Sequence, residues 1–169
     1  MKQNETTLEE SALTTEKRAE LNEQPDATGA APIANAAANN NNNLDGRMEA
    51  ALRAASDKKA VDLVVLDLRT IANFTDYFLI ASGTNVRQVQ AIADEITERL
   101  KREGTRAERI EGYRTAEWVL VDYGDFIVHI FEEKARRFYD LERLWREAAR
   151  VKLPADLQRE ANSFLRNEA

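Results

Sequence analysis

From Leu44 onward the sequence predicts an α/β domain, and three features carry that prediction. Two nearly continuous apolar runs rich in branched residues, VDLVVLDL (61–68) and YFLIA (77–81), read as strands buried on both faces. A strongly periodic helical stripe follows the second run. Farther on, AEWVLVDY and FIVHIF flank Gly124-Asp125, a dipeptide suited to the positive φ angles of a tight hairpin turn.

The elements follow in order. Met48, Ala51, Leu52 and Ala55 share one face of a short helix, which Ser56-Asp57-Lys58-Lys59 ends. Between the second strand and the next helix lies Ser82-Gly83-Thr84-Asn85, where Thr84 or Asn85 caps the helix by accepting a hydrogen bond from its free N–H groups. Val86, Val89, Ile92, Ala93, Ile96 and Leu100 recur at steps of three and four, so this helix buries one stripe, and Gly104 suits its C-terminal stop. Residues 106–112 supply a further strand beside the hairpin, for about five strands in all. With a two-residue loop the hairpin pairs Tyr123 with Phe126, Val121 with Val128 and Val119 with Ile130 on a core face. Its other face pairs Asp122 with Ile127, Leu120 with His129 and Trp118 with Phe131. That face is more apolar than water contact requires, so it is expected to meet a partner, with Trp118 as an aromatic anchor. Residues 132–150 predict one helix carrying Phe138, Leu141, Leu144, Trp145 and Ala148 along a face, and Pro154 ends the order or starts a frayed tail.

Composition narrows the function. The 169 residues hold 24 Lys+Arg against 30 Asp+Glu, a net charge of -6, with no cysteine and the single histidine His129. Disulfides, thiolate nucleophiles, iron–sulfur clusters and Cys/His zinc sites are thereby excluded. No apolar run approaches the roughly 18 residues of a membrane span, and MKQNETTLEE lacks the hydrophobic region of a signal peptide. A soluble, cytoplasmic protein is expected. Residues 1–43 contain seven acids, three bases and the low-complexity stretch ATGAAPIANAAANNNNN. They predict a disordered tail, with at most a fleeting helix over 7–22. Residues 44–150 form the expected domain, and 151–169 a C-terminal tail with some helix. From residue 44 on there are 23 acids and 21 bases, so overall charge predicts no strong nucleic-acid binding.

Chemical motifs are sparse. Gly83-Thr84 superficially resembles a phosphate-binding turn at a helix start, but the second glycine and the Lys-Ser/Thr of a P-loop are missing, and a plain strand-to-helix turn explains it. Asp67, Asp76, Asp122 and Asp125 are candidate metal ligands without the convergent spacing that two-metal phosphoryl transfer needs. Asp140 and Glu142 have that spacing but fall in a predicted helix, where residues two apart diverge. His129 has no activating serine, threonine or acid nearby in sequence and reads as a structural or partner-binding histidine. Over residues 134–152, seven bases stand against three acids. This reads first as a solvated face with pairs such as Glu142 with Arg146, and second as a local patch steering toward RNA phosphates.

Three segments, VVLDLRTIANFTDYFLIASGTNVRQVQAIAD, EGYRTAEWVLVDYGDFIVHIF and RRFYDLERLW, closely resemble the ribosomal silencing factor family, also called Iojap or YbeB-like. The resemblance spans about residues 47–145, through the ordered series TDY, SGT, EG, W-V-L-x-D-Y-G-D, V-H and F-Y-D-L-E-x-L-W. It implies a nucleotidyltransferase-like fold, a mixed sheet with helices, lacking that activity: not an enzyme, with no metal and no cofactor. It also implies a translational repressor that binds the large ribosomal subunit through the ribosomal protein numbered fourteen in its series. Sitting on the intersubunit face, such a protein sterically blocks small-subunit joining when nutrients are short. The implied contact residues are Trp118, Leu120, Asp122, His129, Tyr139, Leu141 and Glu142, with Gly124 and Asp125 holding the turn. Ribosomal RNA is a minor expected contact, and the free protein is expected to be a monomer or weak homodimer. The competing reading is a magnesium-dependent nucleotidyltransferase-type enzyme using Gly83, Thr84 and the scattered aspartates.

Overall fold

The computed structural model describes residues 44–158. The tail expected over 1–43, its transient helix, and residues 159–169 lie outside the described residues. Helix α1 (Gly46–Asp57) starts at Asp45, whose carboxylate accepts the backbone N–H of Arg47 at 3.1 Å. It buries Met48, Ala51, Leu52 and Ala55, the stripe expected from their spacing. Strands β1 (Val61–Asp67) and β2 (Tyr77–Gly83) pair antiparallel. Helix α2 (Val86–Arg102) is capped by the Asn85 side chain, which accepts the Gln88 N–H at 3.0 Å. At its other end the N–H groups of Thr105 and Gly104 donate to the carbonyls of Leu100 and Lys101, at 2.8 and 3.1 Å. This paired closure needs the left-handed backbone that Gly104 adopts at φ 89°.

Strands β3 (Arg109–Glu111), β4 (Trp118–Asp122) and β5 (Phe126–Glu132) follow. The hairpin register is the one expected: Trp118 opposite Phe131, Leu120 opposite His129, Asp122 opposite Ile127. Gly124 takes φ 85°, and the Tyr123 N–H donates to the Phe126 carbonyl at 3.0 Å, closing the two-residue loop. Asp125 anchors the turn to the rest of the sheet, its carbonyl accepting the Asp76 N–H at 2.9 Å and its carboxylate pairing with Arg47. The chain then forms α3 (Glu133–Tyr139), α4 (Leu141–Leu144) and a short edge strand β6 (Ala149–Arg150). The open sheet runs β3-β4-β5-β2-β1-β6, with β2 and β5 parallel and every other pair antiparallel. The architecture is α+β with a mixed sheet, and β6 raises the strand number among the described residues from the expected five to six.

The last third departs from expectation. One continuous helix over 132–150 does not form, because Asp140 enters the left-handed region (φ 45°, ψ 59°) and separates α3 from α4. Aspartate tolerates that conformation better than most residues. The break lets Leu141 and Trp145 turn onto the sheet and leaves Phe138 75 % exposed. The expected single apolar face containing Phe138 and Leu144 therefore does not exist. Residues 151–158, expected to begin a tail, lie on the domain. The Val151 N–H donates to the Val65 carbonyl at 2.9 Å, and Leu157 is buried in the core that Val151 and Leu153 flank.

Alternation along the strands divides the interior into two layers. Leu63, Val65, Leu79, Ala81, Val119, Val121, Tyr123, Phe126, Val128 and Ile130 pack against α1 and α2 in one core. Leu66, Phe78, Ile80, Trp118, Leu120, Ile127, His129 and Phe131 form the other layer, also buried. The turn from β2 into α2 is tight. A Cβ at Gly83 would stand 3.0 Å from both the amide nitrogen and Cγ2 of Val89. Gly83→Ala is expected to cost about 1–3 kcal/mol in urea unfolding, because overpacked contacts against backbone relax poorly.

Tyr123 gives a second test. Its buried hydroxyl has no hydrogen-bond partner, and burial pushes the phenol up to about 12. An unfolded tyrosine ionises near pH 10, so between about 10 and 12 the unfolded state binds fewer protons and stability falls as pH rises. Tyr123→Phe is expected to be neutral or stabilising at pH 7 and to remove that part of the alkaline loss. Urea midpoints of the two proteins between pH 9 and 12 check it.

Candidate functional site

The sheet face singled out by the sequence is lined with aromatic rings, and the chain itself covers it. Trp118 is 5 % exposed and His129 0 %. The indole Nε1–H of Trp118 donates to His129 Nδ1 at 3.1 Å. An indole nitrogen can only donate, so Nδ1 is the acceptor in this bond. Trp118 also stacks on Phe131, ring centroids 5.0 Å apart, and touches Tyr139 of α3 at 4.8 Å. Phe78 meets His129 edge to face at 4.5 Å and Trp145 at 5.6 Å, and Trp145 meets Phe74 at 5.9 Å. A continuous row of rings thus runs from Phe74 to Phe138, which lies 5.0 Å from Tyr139.

The expectation that Trp118, Leu120 and His129 face outward is corrected by this packing. Their register is as predicted, but α3, α4 and the segment bearing Phe74 close over them. Leu120 and Leu141 are buried with them. Tyr139, Asp122 and Glu142 are half-buried. Asp122 Oδ1 accepts the Gly124 N–H at 2.8 Å, and its other oxygen lies 3.6 Å from the Arg109 guanidinium. Glu142 pairs with Arg136, not with Arg146 as expected.

Arg136 was missed by sequence reasoning, and it fastens the cover. Its guanidinium donates to Glu142 Oε1 at 3.0 and 2.5 Å, to the Asp62 carbonyl at 2.7 Å and to Ser82 Oγ at 2.8 Å. Asp62 sits at φ 51° in an irregularity of the β1–β2 register, which turns its carbonyl toward α3. The nearest sequence signal is the spacing of Arg136 and Glu142, but its meaning depends on the Asp140 break between them.

The catalytic and metal readings find little to work with. Asp67 is held by Arg69, whose hydrogen bonds keep its carboxyl below the usual carboxylate range. Asp125 is paired with Arg47 and Asp122 with its own turn. Among the described residues no three His, Cys, Asp or Glu side chains converge on a metal position. At the Gly83-Thr84 turn two N–H groups are taken up locally, Thr84 N–H donating to Gln88 Oε1 at 2.8 Å and Gln88 N–H to Asn85 Oδ1 at 3.0 Å. No described helix is long and apolar enough to cross a membrane.

Trp118 is a pillar of the second layer, so Trp118→Ala is expected to cost about 3–5 kcal/mol of folding stability. Trp118→Phe, which keeps a ring but loses the N–H to His129, should cost less. Urea unfolding of both variants checks this, and a loss below about 1.5 kcal/mol for alanine would contradict the burial.

Comparison with known proteins agrees with the fold and with the residues that carry the resemblance. Residues 41–168 match the family described as "Ribosomal silencing factor during starvation", a span that extends past both ends of the motif-bearing residues 47–145. The chain is 42 % identical over 106 residues to ribosomal silencing factor RsfS of Halalkalibacterium halodurans, covering 63 % of this chain and 91 % of that one. It is 44 % identical over 101 residues to the Bacillus subtilis protein of the same name, covering 60 % and 86 %. A crystal structure of a Bacillus halodurans protein superposes with a TM-score of 0.57 at 42 % identity, covering 63 % of this chain and 96 % of that one. On the family match over most of its length, with the motifs and the mixed sheet in place, the chain belongs to the ribosomal silencing factor family.

Proposed function

We propose that the protein is a translational repressor that binds the large ribosomal subunit at its intersubunit face, through the ribosomal protein numbered fourteen, and sterically blocks joining of the small subunit. The observation that carries this reading is the family match over residues 41–168, together with relatives named as ribosomal silencing factors. Its action is stoichiometric occupancy, with no reaction, metal or cofactor, and it lowers translation in the cytoplasm under nutrient limitation. The free protein is a monomer or weak homodimer.

The contact surface in this reading is the rim of the aromatic layer. Asp122, Tyr139 and Glu142 are its partly accessible members, and Trp118, Leu120, His129 and Leu141 support them from beneath. Gly124 and Asp125 hold the adjoining turn. In this reading the accessible polar margin makes the contacts, and the buried layer beneath fixes its shape.

Co-sedimentation with isolated subunits tests the proposal. The protein is expected to pellet with the large subunit and not the small one, and to suppress subunit joining in proportion to its amount up to one copy per large subunit. Absence of large-subunit binding, or unimpaired joining at saturation, overturns it. A chain beginning at Leu44 should bind as the full chain does, and magnesium with a nucleotide should leave the melting temperature unchanged. A bound nucleotide at 100 times its dissociation constant would raise stability by about 2.7 kcal/mol.

A further inference from the structure

Ion pairing is uneven over the surface. On α1 and α2, Arg47, Arg53 and Arg99 are each held by two carboxylates. Over residues 134–152, Lys134, Arg137, Arg143, Arg146, Arg150 and Lys152 are exposed, and among the described residues none has a carboxylate within ion-pairing distance. Glu147 is the one exposed acid between 134 and 152. Glu142 is taken by Arg136. A chain of net charge -6 therefore carries a local surface of strongly positive sign.

Register and helix spacing put several of these residues on the side that α3 and α4 cover. Arg150 pairs in register with Leu66, and Leu66 with Phe78, whose ring touches Trp145. Directly opposed residues in a sheet share a face, so β6 presents Arg150 on the side that α3 and α4 cover. Lys134 and Phe138 stand one helical turn apart on α3. Phe138 is 75 % exposed, the most exposed large hydrophobic residue described, and its ring meets Tyr139 edge to face at 89°. Its neighbour Arg137 and, across the break, Arg143 are exposed cations.

We infer that this face binds RNA, with the cations contacting backbone phosphates and Phe138 stacking on an unpaired base. Guanidinium groups suit phosphate oxygens geometrically, and an accessible aromatic among cations is how proteins hold single-stranded nucleic acid. An acidic protein surface would satisfy the charges but gives no account of the upright ring in their midst. The inference rests on the ribosome reading only for where such RNA is met.

The test is fluorescence anisotropy of the full chain with a labelled single-stranded RNA of about twelve nucleotides at low salt. Binding is expected to weaken as salt rises, because each phosphate contact releases counterions. Replacing Lys134, Arg137 and Arg143 together with alanine should weaken binding at least tenfold and make the salt dependence shallower by about two in log–log slope. Phe138→Ala should weaken it by about fivefold to a hundredfold with the slope unchanged. Because these side chains are exposed, folding is expected to survive, and circular dichroism verifies it. Failure to bind RNA at about 100 µM overturns the inference, as does wild-type affinity in both variants, or equal competition by a polyglutamate peptide. Large-subunit co-sedimentation runs in parallel: subunit binding without RNA binding overturns this inference alone, whereas RNA binding without subunit binding supports it and overturns the ribosome reading alone.

Discussion

A sheet that carries large apolar side chains on both faces must be covered twice, and that requirement organises everything after Glu132. Helices α1 and α2 supply the first cover, and their stripes are regular enough to be read from spacing. The second cover has to come from the short segment between β5 and β6, which cannot lie over the sheet as one straight helix while also bringing Leu141 and Trp145 down onto it. The left-handed Asp140 solves the geometry, its N–H still donating to the Arg136 carbonyl and its own carbonyl accepting from Arg143 and Leu144. Arg136 then secures the arrangement with four hydrogen bonds that join α3 to Glu142, Ser82 and the β1 irregularity.

Polar atoms inside the second layer reinforce it. The Trp118 to His129 hydrogen bond crosses the hairpin and holds both rings at fixed tilt against Phe131 and Phe78. An unpaired indole N–H in that position would cost about 1–3 kcal/mol, so the histidine stabilises the layer by accepting as well as by filling space. This gives the lone histidine a structural role among the aromatics.

The same arrangement shapes what reaches the surface. By folding back at Asp140 the chain turns Phe138 and a run of unneutralised cations outward, while Asp122, Tyr139 and Glu142 come to rest at the margin of the buried layer. A protein-facing rim and an RNA-facing face would then be adjacent parts of one side of the sheet.

By itself the sequence determined the local elements: the α1 and α2 stripes, the Asn85 cap, the Gly104 stop, the strands, and the hairpin register down to each cross-strand pair. These follow from nearest-neighbour chemistry and short-range periodicity, which need no knowledge of the rest of the chain. Family membership was legible for the same reason, being carried by ordered motifs. Only the tertiary structure decided that both sheet faces are covered, since alternation along β4 and β5 shows that two faces differ but not what covers either. It likewise decided the break at Asp140, the partner of Arg136 and the strand β6. Each depends on contacts between segments tens of residues apart, such as Arg136 with Asp62 and Arg150 with Leu66, and no local pattern records them.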